Sequence, residues 1–353
     1  MRDPGMRPVD MRLARPSSPW LRWAIVLLLV AAAFLGIARA NAATLLNVSY
    51  DVARGLYEEL NPAFVAEWKQ KTGESVGIDQ SHGGSTKQAH AVIEGLPADV
   101  VTMNSPLDID AIADAGLLPK DWAKKFASAS SPSWSAIVFV VRKGNPKALR
   151  DWSDLVNPGV QVILPNPKTS GNGRYSYLAA WQYARTQPGA DAGASLPFEK
   201  KLFANVPILD VGGRDATTTF AQRGIGDALL TFESEAKVVV ATFGADKFEI
   251  AYPSLTVRAD NPVAVVAKNA DRKGTTKLAE AYLQFHYAKA AQEIFARRGL
   301  RVVDASVATA HAAEFPAIKT FVVDDAFGGW AKAQAEHFAT GGSFDKVVAE
   351  VKR

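Results

Sequence analysis

Four short segments carry residue types that could hold an anion. They are Asn47-Val48-Ser49-Tyr50-Asp51, Ser81-His82-Gly83-Gly84-Ser85-Thr86, Pro167-Lys168-Thr169-Ser170-Gly171-Asn172-Gly173 and Gly212-Gly213-Arg214-Asp215-Ala216-Thr217. Each links an apolar run to a helical pattern, and ligands of open α/β sheets sit beyond the carboxyl ends of strands, where helices begin. Glycine lets the backbone approach a ligand closely. The unpaired N–H groups of a helix start, and the positive end of its dipole, favour a negative charge. For any single segment an ordinary helix cap is the simpler explanation, since Ser, Thr, Asp and Gly cap helices everywhere. Four in one chain are stronger evidence, although sequence does not show whether they meet in space.

Catalytic constellations are harder to find. His82-Gly83-Gly84 looks like the oxyanion segment of some esterases, but that chemistry needs a G-x-S-x-G elbow, and the chain has none. Neither a G-x-x-x-x-G-K-[ST] phosphate loop nor a G-x-G-x-x-G fingerprint occurs; Gly224-Ile225-Gly226 reads as a helix-to-strand turn. The five histidines show no metal-ligand spacing, and zero cysteine excludes disulfides, thiol nucleophiles, iron–sulfur clusters and Cys-built zinc sites. No cofactor and no metal are expected. Arg214 and Lys168 are tempting counter-charges for an anion but read more simply as outer or surface charges. Arg174 reads as the start of a helix on a solvated face. Trp68, Trp122, Trp152 and Trp181 have apolar neighbours at helical spacing and are expected in the core.

The elements that must position these segments alternate. Strand-like runs fall at 44–50, 75–81, 98–103, 134–146, 160–167, 206–212, 227–232, 248–253 and 262–268. Helical patterns fall between them, and one long helix is expected to run to Gly299. Such alternation argues for α/β architecture, with parallel sheets covered by helices on both faces. Two continuous apolar strands, 136–141 and 262–267, bracket a self-contained α/β segment. The simplest layout is two lobes joined by two crossing strands, with a ligand cleft between them and hinges near 134–142 and 254–266. The expected division is 43–136 in the first lobe, 137–251 in the second, and 252–353 returning to the first lobe with C-terminal helices.

The chain has 353 residues and a formal charge of +4. Six of its 40 basic and two of its 36 acidic residues lie in 1–42, which leaves 34 of each beyond. The basic excess therefore belongs to the leader and is no footprint of a nucleic-acid-binding face. Residues 24–38 form a 15-residue apolar run, followed by Ala40-Asn41-Ala42. An Arg-bearing stretch, a short apolar run and an A-x-A site make residues 1–42 a secretory signal peptide; an uncleaved anchor is the alternative. The protein is expected to be exported to the periplasm.

The segments 45–51 (LLNVSYD), 78–89 (IDQSHGGSTKQA), 139–146 (FVVRKGNP), 151–160 (DWSDLVNPGV), 165–181 (PNPKTSGNGRYSYLAAW), 217–230 (TTTFAQRGIGDALL) and 327–338 (FGGWAKAQAEHF) carry a family resemblance. The chain resembles the periplasmic sulfate/thiosulfate-binding proteins of ABC importers across essentially its whole length after the leader. The resemblance implies a two-lobed periplasmic binding protein fold of type II, no enzymatic activity, a monomer, and delivery of the anion to a membrane permease. It also implies a site of neutral donors: the Asp51 N–H, the Ser85 and Ser170 hydroxyls, and the N–H groups of Gly171, Asn172 and Gly213. At 232 the chain departs from sulfate-type members, which can place a Trp donor there; Phe232 cannot donate. Asp51 is expected to turn its carboxylate away and cap its own helix. A different tetrahedral oxyanion such as molybdate, and an exported sulfo- or phospho-ester hydrolase, are the competing readings.

Overall fold

The strand at 133–142 shows why its sequence is apolar without alternation. Ile137, Phe139 and Val141 enter one hydrophobic cluster, while Val138 and Val140 enter another on the opposite face. A strand buried on both sides needs apolar residues at every position, and each such side chain contributes roughly 1.5–3 kcal/mol. Phe139 meets Trp152 edge to face at 5.0 Å, and the indole N–H of Trp152 donates to the Leu255 carbonyl.

The computed structural model describes residues 43–191 and 193–351; the signal peptide read at 1–42 lies outside the described residues. The strands are β1 (Ala43–Tyr50), β2 (Val76–Gly83), β3 (Val100–Thr102), β4 (Ser133–Arg142), β5 (Val162–Pro165), β6 (Leu209–Asp210), β7 (Ala228–Phe232), β8 (Phe248–Ala251), β9 (Thr256–Asp260), β10 (Val263–Val265), β11 (Arg301–Val302) and β12 (Thr320–Phe321). One sheet has the order β10-β3-β1-β2. The other runs β12-β9-β4-β7-β5-β6, with β8 and β11 also paired to β4. Helices flank both sheets, as the alternating pattern requires.

Both sheets are mixed rather than wholly parallel. The pairs β1–β3, β5–β7, β5–β6 and β9–β12 are parallel. β10 runs antiparallel to β3, and β4 runs antiparallel to β7, β8, β9 and β11. The physical reason lies in the connections. β4 carries the chain out of the smaller sheet's region, and β9 returns beside it, antiparallel, before β10 rejoins the smaller sheet.

The expected long helix is broken. Helices Thr276–Phe285 and Lys289–Arg297 are separated at Ala288, whose backbone is extended. The break is stabilised from inside: the buried Gln292 amide donates to the His286 and Pro132 carbonyls, and the His286 ring sits 2.8 Å from the Tyr282 carbonyl. Burial pushes the His286 pKa down to about 4. The C-terminal residues Val323, Phe327, Trp330, Phe338, Phe344 and Val347 join the cluster built on Phe139 and Trp152, whereas Leu300, Val302 and Val307 join the cluster around β1.

Candidate functional site

The four anion-type segments lie at strand ends that the sheets place side by side, and close approaches join them. A β-carbon on Gly213 would lie 3.3 Å from Asn172 Nδ2 and 3.9 Å from Asp51 Oδ1. One on Gly84 would lie 3.1 Å from the Thr169 carbonyl oxygen and 3.7 Å from that of Val211. Glycine at 84 lets backbone meet backbone, and glycine at 213 leaves room for the Asn172 and Asp51 side chains. Direct bonds reinforce the meeting: Thr169 Oγ1 donates to the Val211 carbonyl at 2.8 Å, and the His82 ring lies 3.1 Å from the Tyr50 carbonyl. Burial holds the His82 pKa below its ordinary value, so a neutral ring faces this contact.

Each expected site residue sits at or beside a helix start. Asp51 opens the short 3-10 helix Asp51–Ala53. Ser85 is the first residue of helix Ser85–Ile93 and is buried, with its hydroxyl 3.6 Å from Met103 Sδ. Sulfur is a weak acceptor, which leaves that hydroxyl free to redirect toward a better one. Ser170 is the N-cap of helix Gly171–Arg185, and Gly171 and Asn172 form its first turn; all three are buried. Gly213 opens helix Gly213–Thr217. Phe232 ends β7 as N-cap of helix Glu233–Phe243; its ring packs against Tyr175 in the apolar cluster, 6.0 Å between centroids.

The charges around these turns are engaged with the protein itself. The Asp51 carboxylate was expected to cap its own helix, and Oδ1 does accept from the Val52 N–H at 3.0 Å. Its second oxygen corrects that picture, because Oδ2 accepts from the Arg214 N–H at 2.9 Å and so caps the start of another helix. The Arg214 guanidinium lies 3.3 Å from Glu235, and Lys168 pairs with Asp345 at 2.8 Å while donating to the Phe338 carbonyl. Glu235 is buried and accepts from Thr217 Oγ1 at 2.8 Å; burial pushes its carboxyl up to about 7.

Arg174 departs from the solvated face expected of it. It is buried, 3.1 Å from the buried carboxylate of Asp108, which also accepts from Thr86 Oγ1 at 2.9 Å. The helix dipole cannot explain this, since Arg sits near a helix N-terminus, the unfavourable end for a cation. The compensation is the ion pair with Asp108, which ties helix Gly171–Arg185 to helix Pro106–Asp114.

Sequence reasoning missed a fifth turn, Asn104-Ser105-Pro106, between β3 and helix Pro106–Asp114. Its signal was present, since Asn-Ser-Pro after an apolar strand marks a helix start. Reading the helix from Asp108 hid it. Asn104 and Ser105 are buried, and Asn104 Oδ1 and Ser105 Oγ have no hydrogen-bond partner. Among the described residues there is no cluster of His, Asp and Glu able to hold a metal ion, and no helix is long and apolar enough to cross a membrane.

The chain has clear relatives among known proteins. Residues 49–301 match the family model of bacterial extracellular solute-binding proteins. The thiosulfate-binding protein of Pseudomonas aeruginosa is 52 % identical over 91 % of this chain and 97 % of its own length. The sulfate-binding protein of Escherichia coli is also 52 % identical, over 86 % of this chain and 92 % of its own. The solved sulfate-binding protein SubI from Mycobacterium tuberculosis superposes with a TM-score of 0.75 at 32 % identity, covering 84 % of this chain and 99 % of that one. The fold is that of type II periplasmic binding proteins. The chain belongs to the bacterial extracellular solute-binding proteins, in the family that holds the sulfate- and thiosulfate-binding proteins.

Proposed function

We propose that the protein captures sulfate or thiosulfate in a cleft between two lobes and delivers it to an ABC importer. The observation that carries this reading is the meeting of four helix starts whose nearby charges are already engaged. Asp51 is held by N–H groups of Val52 and Arg214, Arg214 by Glu235, and Lys168 by Asp345. What such turns offer a ligand is neutral donors: the N–H of Asp51, Gly171, Asn172 and Gly213 and the hydroxyls of Ser85 and Ser170. Sulfate carries no proton at neutral pH and only accepts hydrogen bonds, so a donor-only pocket suits it. Hydrogen phosphate would leave its O–H unpaired there and is rejected. Hydrogen bonds to a charged group are worth roughly 1.5–3 kcal/mol each, and about six of them sustain micromolar binding after desolvation and closure costs.

In this reading one lobe comprises 43–136 with the returning chain through Val307, and the other comprises 137–251 with the C-terminal residues from Val323 on, which pack in the Phe139–Trp152 core; the lobes hinge along β4 and the 254–266 segment. The protein is exported to the periplasm by its leader, acts as a monomer without cofactor or enzymatic activity, and presents its closed form to permease subunits in the inner membrane. The 52 % identity to a thiosulfate-binding and to a sulfate-binding protein supports the choice of anions. Titration calorimetry of residues 43–353 with sulfate, thiosulfate, molybdate and phosphate tests it. We expect saturable one-to-one binding of a sulfur oxyanion and silence with phosphate. Absence of heat with both sulfur anions, after removal of any co-purified ligand, rejects the reading.

A further inference from the structure

The small sheet brings Asn104 to the same level as Asp51. β1 and β3 are parallel, with Ser49 opposite Thr102, so the residues two positions on, Asp51 and Asn104, leave adjacent strands together. Asn104 is only 3 % exposed, yet its Oδ1 has no hydrogen-bond partner. Its amide lies on Gly171: a β-carbon there would sit 2.1 Å from Oδ1 and 3.0 Å from Cγ. A buried polar atom without a partner is costly and calls for an explanation. In a protein that closes on an anion, the explanation is a partner that arrives with the ligand. The two ends of a carboxamide exchange places by a half-turn about Cβ–Cγ. The NH2 group can therefore stand where Oδ1 lies, against the first turn of helix Gly171–Arg185. Phe232, meanwhile, supplies no side-chain donor of its own.

We propose that Asn104 is a further anion-contacting residue whose side-chain NH2 donates to the bound oxyanion beside Gly171. The inference rests on the function proposed above. It assigns a neutral donor to the fifth turn, so that all three turns of the small sheet contribute, and it gives Gly171 a second reason to lack a side chain.

Calorimetric titration of wild type, Asn104→Ala and Asn104→Asp with sulfate and thiosulfate at pH 8 and pH 5 tests it, with thermal melting of the anion-free proteins alongside. Asn104→Ala should weaken binding about tenfold, the loss of one hydrogen bond to a charged partner, with the anion-free melting temperature unchanged. Asn104→Asp should weaken it by about 100-fold or more at pH 8, where a carboxylate replaces the donor. That deficit should shrink at pH 5 as the carboxyl regains an O–H, while sulfate stays a dianion. Binding by Asn104→Ala within about twofold of wild type overturns the inference. So does an Asn104→Asp deficit independent of pH, or an Asn104→Ala loss matched by a fall in the anion-free melting temperature. Wild type that binds neither anion rejects the proposed function itself, and this inference with it.

Discussion

The two groups of turns that flank the candidate site are built differently. The turns after β5, β6 and β7 are cross-braced among themselves. Asn172 Nδ2 donates to Thr231 Oγ1 at 3.0 Å, Ser176 Oγ donates to Asn172 Oδ1 at 3.2 Å, and the Asn166 N–H donates to the Asp210 carbonyl at 2.7 Å. Buried atoms without a partner occur on both sides, but on this one Arg174 Nε, Asp210 Oδ2 and Glu235 Oε2 belong to side chains held through their other atoms, whereas the turns after β1, β2 and β3 are less firmly braced. Ser85 rests on a thioether, and Asn104 Oδ1, Ser105 Oγ and Asp108 Oδ2 have no partner. One side is a preformed cradle, and the other holds the Ser85 and Ser105 hydroxyls and the Asn104 amide, groups that, in the function proposed, take their best partner from the anion. Preorganisation on one side lowers the ordering cost of binding, while reserve on the other makes closure responsive to the anion.

The largest expected effect breaks the cradle. A β-carbon on Gly173 would meet the Pro165 carbonyl oxygen at 2.3 Å and the Asn166 carbonyl carbon at 2.8 Å, backbone atoms with no freedom to move. Gly173→Ala should cost about 3 kcal/mol in urea unfolding. The corresponding change on the other side, Gly83→Ala, meets only the Gln88 side chain at 3.4 Å and should cost under about 1 kcal/mol. Equal costs would erase the contrast.

Affinity comes next. Ser170→Ala and Ser85→Ala should each lower sulfate affinity by about 1.5–3 kcal/mol, the worth of a hydrogen bond to a charged group, read by calorimetry. If neither moves the affinity, the assigned donors are wrong.

A pH series sharpens the comparison further. Burial raises the folded pKa of Glu235 to about 7 from 4.5. Between those values the folded state holds a proton that the unfolded state releases, so stability is fully present below pH 4.5 and is lost as pH rises through 7. The loss from this group should be about 2 kcal/mol between pH 5 and pH 8, and Glu235→Gln should flatten the profile. A steeper profile in the variant contradicts the assignment. The smallest effect is expected for Asn172→Ala, which loses two neutral bonds but keeps its N–H. It should cost about 1–2 kcal/mol of stability and leave affinity almost intact, read by parallel unfolding and calorimetry.

The turns themselves were legible in the sequence, because small polar residues after an apolar run have few other uses. So was β4, whose unbroken apolar run announces burial on both faces. What joins distant elements was not legible. The Asp51 carboxylate reaches an N–H 163 positions away, and Arg174 is paired with a carboxylate 66 positions back; no local pattern marks either. Asn104 was hidden by a boundary two residues off. The break at Ala288 escaped because its support, Gln292 reaching Pro132, is tertiary.

The path of the chain also limits the motion available to it. β4 leads into the core built on Phe139 and Trp152, β9 leads out, and the stretch from β11 to β12 leads in again, so that residues 323–347 finish there. Three covalent tethers, two of them paired strands, link the halves proposed to close. Two tethers allow both a bend and a twist, whereas a third that is not collinear with them suppresses the twist. Under the proposed function, opening and closing would then follow a single rotational coordinate, and a docking face read by a membrane partner would report one quantity, the degree of closure.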